Sequence, residues 1–245
     1  MYKSLFIASI VCLLSNVTFS QRASNESGNA DLLYWANQLI QNINQHNTSY
    51  EHKTDNVKWD DNGTYSCYTD CSGFMNALIK KAFRWNDEVF KKKLGHRHMR
   101  AYHYYNAIVS GNQFIQIKNI AQIQPGDIIA LQYADRSEHE DNTGHVMLII
   151  TSPEKHRDAK IVLPQTRQYT VSIIDCSKSP HGQGDSRFLP NGSEYSGLGK
   201  GVFRLYTNMQ GDIVAYSWSM GNPKASFNPY ENPVVVGRFF ENKVY

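Results

Sequence analysis

Apolar positions follow a helical period in the first half of the chain and cluster into strand-like runs in the second. Leu32, Leu33, Trp35, Ala36, Leu39, Ile40 and Ile43 recur every three to four residues and predict a helix over residues 30–44. Its apolar stripe needs a partner, so this helix belongs to the folded body. Residues 46–66 are rich in Asn, Asp, Gly and Thr and read as a long loop, with Trp59 and Tyr65 placed to meet a substrate or to anchor it. Phe74, Ala77, Leu78 and Ala82 predict a helix that ends near residues 83–85. Asn86 is placed to cap a shorter helix stopped at Gly95, and residues 100–109 predict another, closed by Gly111.

Beyond residue 112 the period changes. The turn Ile123-Gln124-Pro125-Gly126-Asp127 leads into an expected strand at 128–131. Further strands are expected at 145–150, 169–175, 201–206, 213–218 and 234–239, with a short extension at 157–163. Asn208-Met209-Gln210-Gly211 is a hairpin turn, and residues 177–200 form a long segment rich in Gly, Ser and Pro. Helices followed by strands predict an α+β fold with an antiparallel sheet.

Residues 1–20 have a basic start, an apolar stretch from Leu5 to Leu14 and small residues near the end, the pattern of a secretory signal peptide. That stretch is too short to predict a membrane span. The remaining 21–245 are enough for one domain, and export would place it in a secreted or periplasmic setting. A formal charge of +3 is too small to imply a nucleic-acid partner.

The stretch Tyr68-Thr69-Asp70-Cys71-Ser72-Gly73-Phe74 carries the candidate chemistry. Asp70 stands where an N-cap belongs, which puts Cys71 at the first helical position. Free N–H groups and the helix dipole there favour a thiolate, the attacking form of cysteine. A thiolate needs an imidazole, and the imidazole an orienting group. Of nine histidines, His145 opens a buried strand directly after Gly144, and Asp175 closes the next apolar strand. Without Cys12 in the leader, three cysteines remain, and either a Cys67–Cys176 disulfide with Cys71 free or three free thiols satisfies that odd count. His96, His98 and His103 match no compact zinc spacing, and no metal or cofactor is expected.

Asp70-Cys71-Ser72-Gly73-Phe74, Pro125-Gly126-Asp127-Ile128-Ile129 and Gly144-His145-Val146, in this order, resemble the NlpC/P60 cysteine peptidase family of the papain-like group. The resemblance covers roughly residues 50–180. It implies N-terminal helices packed on a central antiparallel sheet, here with an extra N-terminal helix and extra C-terminal strands. It makes Cys71 the nucleophile and His145 the base. The third position is often histidine in the family; Asp175 is the favoured equivalent here and His181, in a Ser-Pro-His-Gly loop, its rival. For the family's upstream tyrosine, Tyr65 and Tyr68 are the candidates here. Arg187 and Lys200, beyond the motif blocks, either meet a substrate carboxylate or sit in a solvated loop. Known members mostly cut bacterial cell-wall peptides, so the resemblance implies amide hydrolysis with peptidoglycan as partner. A same-fold amidase or acyltransferase with another substrate, or a non-catalytic wall-binding module, are the alternatives.

Overall fold

A computed structural model of the chain describes residues 28–52, 55–60, 63–133, 143–156, 163–221 and 233–241. The leader at 1–20 and most of the extension at 157–163 lie outside them. Helix α1 covers 28–40, shorter than its periodicity predicts, because a turn at 41–42 ends it. The segment 46–66 is not the plain loop expected. It holds β1 (Thr48–Tyr50) and β2 (Asn56–Lys58), which flank β3 (Ser66–Thr69) in a small sheet, β1 parallel and β2 antiparallel to it. Three-residue strands show too little alternation to be seen without their partners.

Helices α2 (Cys71–Phe83), α3 (Asp87–Leu94) and α4 (Ala101–Ser110) follow as predicted. Their ends are where the capping chemistry places them. Asp70 accepts the Gly73 N–H and Asn86 accepts the Val89 N–H. Gly95 and Gly111 close α3 and α4 in the left-handed conformation that glycine adopts most easily.

The large sheet contains β4 (Phe114–Ile117), β5 (Ile128–Gln132), β6 (Gly144–Ile149), β7 (Glu154–Lys155), β8 (Arg167–Ser177), β9 (Gly197–Thr207), β10 (Ile213–Ser217) and β11 (Val234–Phe239). Its order is β10-β9-β8-β6-β5-β11-β4, with β7 against β8, and every pairing is antiparallel. The chain is thus α+β. One face of the sheet, with Ala130, Val146, Leu148 and Ile174, packs against Phe74, Leu78, Tyr104 and Ile108 of the helices. The other buries Ile129, Met147, Ile173, Phe203 and Tyr216 among the strands themselves, since the sheet coils until β10 meets β11.

The Pro125-Gly126-Asp127 turn is a structural joint. Asp127 is fully buried and accepts two hydrogen bonds from Arg238 of β11, at 2.8 and 2.9 Å, and one from Asn29 of α1. Among the described residues no helix is long and apolar enough to cross a membrane.

Candidate active site

The site forms where two neighbouring strands part. The β6–β8 ladder pairs Leu148 with Ile174 and Ile149 with Ile173, and no further toward the start of β6. His145, Val146 and Met147 on one strand and Asp175, Cys176 and Ser177 on the other flank the opening. The first turn of α2 meets β6 at this point. Gly144 makes the entry possible, with φ of 143° and the Leu131 carbonyl oxygen 1.9 Å from where a Cβ would stand.

His145 and Asp175 bridge the opening. His145 Nε2 lies 2.5 Å from Asp175 Oδ2, and both side chains are buried. A ring N–H donating to that carboxylate leaves Nδ1 as the proton-accepting nitrogen. Burial holds the His145 imidazole below its ordinary range, although the hydrogen bond and charge of Asp175 pull the other way. Burial by itself would raise the Asp175 carboxyl. Arg187, His181 and the bonds from both rings overcome this and hold it well below the usual carboxylate range.

Cys71 is the first residue of α2, as expected, but its thiol is not poised as expected. The Val146 and Ser72 N–H groups draw the thiol down, while the His145 ring is turned to Asp175. Burial, and then the Asp70 carboxylate, push the thiol well above its ordinary range, outweighing those two N–H groups. The resting groups are therefore a thiol and a neutral imidazole, not the thiolate that the helix start alone suggests. The capping carboxylate that starts the helix works against the charge the helix start would favour.

Two hollows meet at Tyr50 and Gly144. One, of about 60 Å³, is lined by Cys71 with Tyr50, His52, Asp70, Ser72, Arg100, Ala101, Thr143 and Gly144. The other, of about 390 Å³, is lined by His145 with Tyr50, Tyr133, Gly144, Ser177, Lys178, Ser179 and Trp218. Tyr50 was missed in the sequence, where it sits in an apparently irregular polar segment. Tyr68 instead donates its hydroxyl to the His46 carbonyl. Trp59 donates to the Trp35 carbonyl and anchors its segment, and Tyr65 packs against the core.

The long segment before β9 is no solvated loop. His181 is buried, with Nε2 2.9 Å from Asp175 Oδ2 and Nδ1 2.7 Å from the Trp218 carbonyl. Its loop holds it rigidly, so Asp175 and His181 are partners and not rivals. Arg187 is fully buried and meets no substrate carboxylate. It donates to Asp175 Oδ1 at 2.8 Å and to both oxygens of Asp185, each at 2.8 Å. Gly199 and Gly201 of β9 leave the flat space in which these groups lie. A Cβ on Gly199 would fall 2.3 Å from Arg187 Nε, and one on Gly201 2.6 Å from Asp185 Oδ2. The Gly-x-Gly-x-Gly run was the available signal. Lys200, between the two, is exposed.

Cys67 and Cys176 are free thiols, and Cys176 donates to the Thr69 carbonyl at 2.9 Å. Donor atoms of His145, Asp175 and His181 lie within 4.8 Å of one another. The set does not suit a cation: one Asp175 oxygen already holds both rings at hydrogen-bond distance and the other holds a guanidinium. His96 and His103 stack, with ring centres 3.7 Å apart, and His98 pairs with Asp55.

No protein-family model matches the chain. No solved structure matches it. The chain is 36% identical over 220 residues, 84% of its length and 95% of the relative's, to the uncharacterized protein R653 of Acanthamoeba polyphaga mimivirus. The chain belongs to the family of that viral protein.

Proposed function

We propose that this protein is a papain-like cysteine hydrolase of the NlpC/P60 type that cleaves amide bonds. Cys71 is the nucleophile, His145 the base and Asp175 the residue that orients it. One observation carries the reading: a buried His145–Asp175 pair at 2.5 Å bridges the strand opening at which α2, beginning with Cys71, packs on β6 and β8.

Because the thiol and the imidazole are both neutral at rest, His145 acts as a general base at the moment of attack. Nδ1 takes the Cys71 proton as the sulfur bonds to the amide carbonyl carbon. The carbonyl oxygen gains the negative charge, with the Cys71 N–H at the start of α2 as the proposed hydrogen-bond donor to it. His145 then gives the proton to the leaving nitrogen as the carbon–nitrogen bond breaks. Water, deprotonated by the same ring, clears the thioester. The Asp175 carboxylate keeps the ring in one tautomer and stabilises the imidazolium formed in each step.

Cell-wall peptides are the proposed substrate class, on the three sequence blocks that resemble the family. Export by a cleaved leader accords with that substrate. The test is incubation of purified peptidoglycan with the protein and with Cys71→Ala, followed by mass spectrometry of released fragments. New free amines from the wild type alone are the expected result. Equal release by both, or by neither, overturns the reading.

A further inference from the structure

We infer that His181 is a positioning residue that carries both ring protons, and that its positive charge locks Asp175 and through it the tautomer of His145. The first support is hydrogen-bond chemistry. Both nitrogens of His181 face oxygen acceptors: the Trp218 carbonyl at 2.7 Å and Asp175 Oδ2 at 2.9 Å. A backbone carbonyl cannot donate, and Asp175 is ionised beneath Arg187. A neutral imidazole has one N–H and would leave one contact without a proton; an imidazolium satisfies both.

Charge balance is the second support. Asp175, Asp185, Arg187 and His181 all have side chains with 0% exposure. Two carboxylates against one guanidinium leave a net negative charge in a water-excluded site, which is costly. A protonated His181 brings the group to neutrality without charging His145. Other contacts agree. The Trp218 ring stacks on His181 with centres 4.1 Å apart, an arrangement that favours a cation over the indole face. Asp185 Oδ2 also accepts the backbone N–H of His181 at 2.8 Å. The groups facing the ring are thus Asp175 of β8, His145 of β6, the Asp185–Arg187 pair and Trp218.

The consequence is a division of labour between two histidines on one carboxylate oxygen. His181 is the fixed cation, and His145, which donates to the same oxygen through Nε2, is the one free to gain and lose a proton at Nδ1. The effect on hydrolysis rests on the proposed function; the protonation pattern does not.

The experiment is nitrogen-15 NMR of the full mature chain with labelled histidine, with signals assigned through His181→Gln and His145→Gln. At pH 7.5 both His181 nitrogens are expected to carry protons, and His145 is expected to show one protonated and one bare nitrogen. In His181→Gln the His145 signals should move toward a mixture of tautomers. Cell-wall hydrolysis by that variant should fall at least tenfold in kcat, with KM little changed. A bare-nitrogen signal from His181, or unmoved His145 signals in the variant, overturns the inference. If His181→Gln does not fold, the wild-type spectrum alone decides, with His181 assigned by elimination from the other histidine variants. Absence of hydrolysis by the wild type, with the spectra as expected, sinks the proposed function and leaves the protonation pattern standing.

Discussion

Gly199 lies directly under the guanidinium of Arg187, so close that a methyl group there would overlap Nε at 2.3 Å. The arginine is among the largest fully buried side chains of the described residues, and its bonds to Asp175 and Asp185 depend on lying flat against β9. Gly199→Ala displaces the guanidinium and costs about 1–3 kcal/mol, the usual range for overpacking. Calorimetry should show a midpoint lower by several degrees, while Lys200→Ala, on the exposed side of the same strand, leaves it nearly unchanged. An unaltered midpoint in Gly199→Ala means that the arginine can move without loss.

Arg187→Met keeps the bulk of the side chain and removes its charge. Two buried carboxylates then lose their strongest partner, a loss on the order of 3–5 kcal/mol. Urea unfolding should show a clear drop in midpoint at pH 7. A variant as stable as the wild type would show that Asp175 and Asp185 do not need the guanidinium.

The Asp175 carboxyl is held well below the usual carboxylate range by Arg187 and His181 against the opposing effect of burial. A depressed carboxyl stabilises the fold above its unfolded value, near 4, and loses that contribution as pH falls through its folded value. Stability should therefore decline as pH drops below about 4. Asp175→Asn, less stable at pH 7, should lose part of that slope. An identical slope in both proteins would assign the acid sensitivity to other carboxylates.

Cys71 makes the opposite prediction. Its thiol is pushed up by burial and then by Asp70, so in the free protein alkylation by iodoacetamide should be slower at pH 7 than that of a small free thiol. The rate should climb only above the ordinary thiol range, near 8.5. A fast plateau at neutral pH would reveal a preformed thiolate–imidazolium pair and displace the general-base route. On that route the acid limb of kcat/KM follows His145, which burial holds below its ordinary value near 6.5. Hydrolysis should persist at pH 6.

Much of the frame was legible in residue order because it rests on local physics. The helices from Cys71 to Ser110 declare themselves by period and by their stops: Asp70 and Asn86 accept N–H groups three residues on, and Gly95 and Gly111 take left-handed turns. Strands buried on both faces, such as β5 and β6, show as unbroken apolar runs. Strands β1, β2 and β4 stayed hidden. They are three or four residues long and exist only through distant pairings, Thr48 with Cys67 and Phe114 with Phe239.

Residue order alone thus determined the α+β class, the helix caps and the placement of Cys71 at the start of α2, since each depends on neighbours within a few positions. Only the tertiary structure decided the company of the charged groups. An arginine in a Gly- and Ser-rich segment reads the same whether it faces water or two buried carboxylates, and Arg187 faces the carboxylates. The same holds for the thiol of Cys71. Its helix position favours the anion, but desolvation and the Asp70 charge act through space, and they are the larger effect.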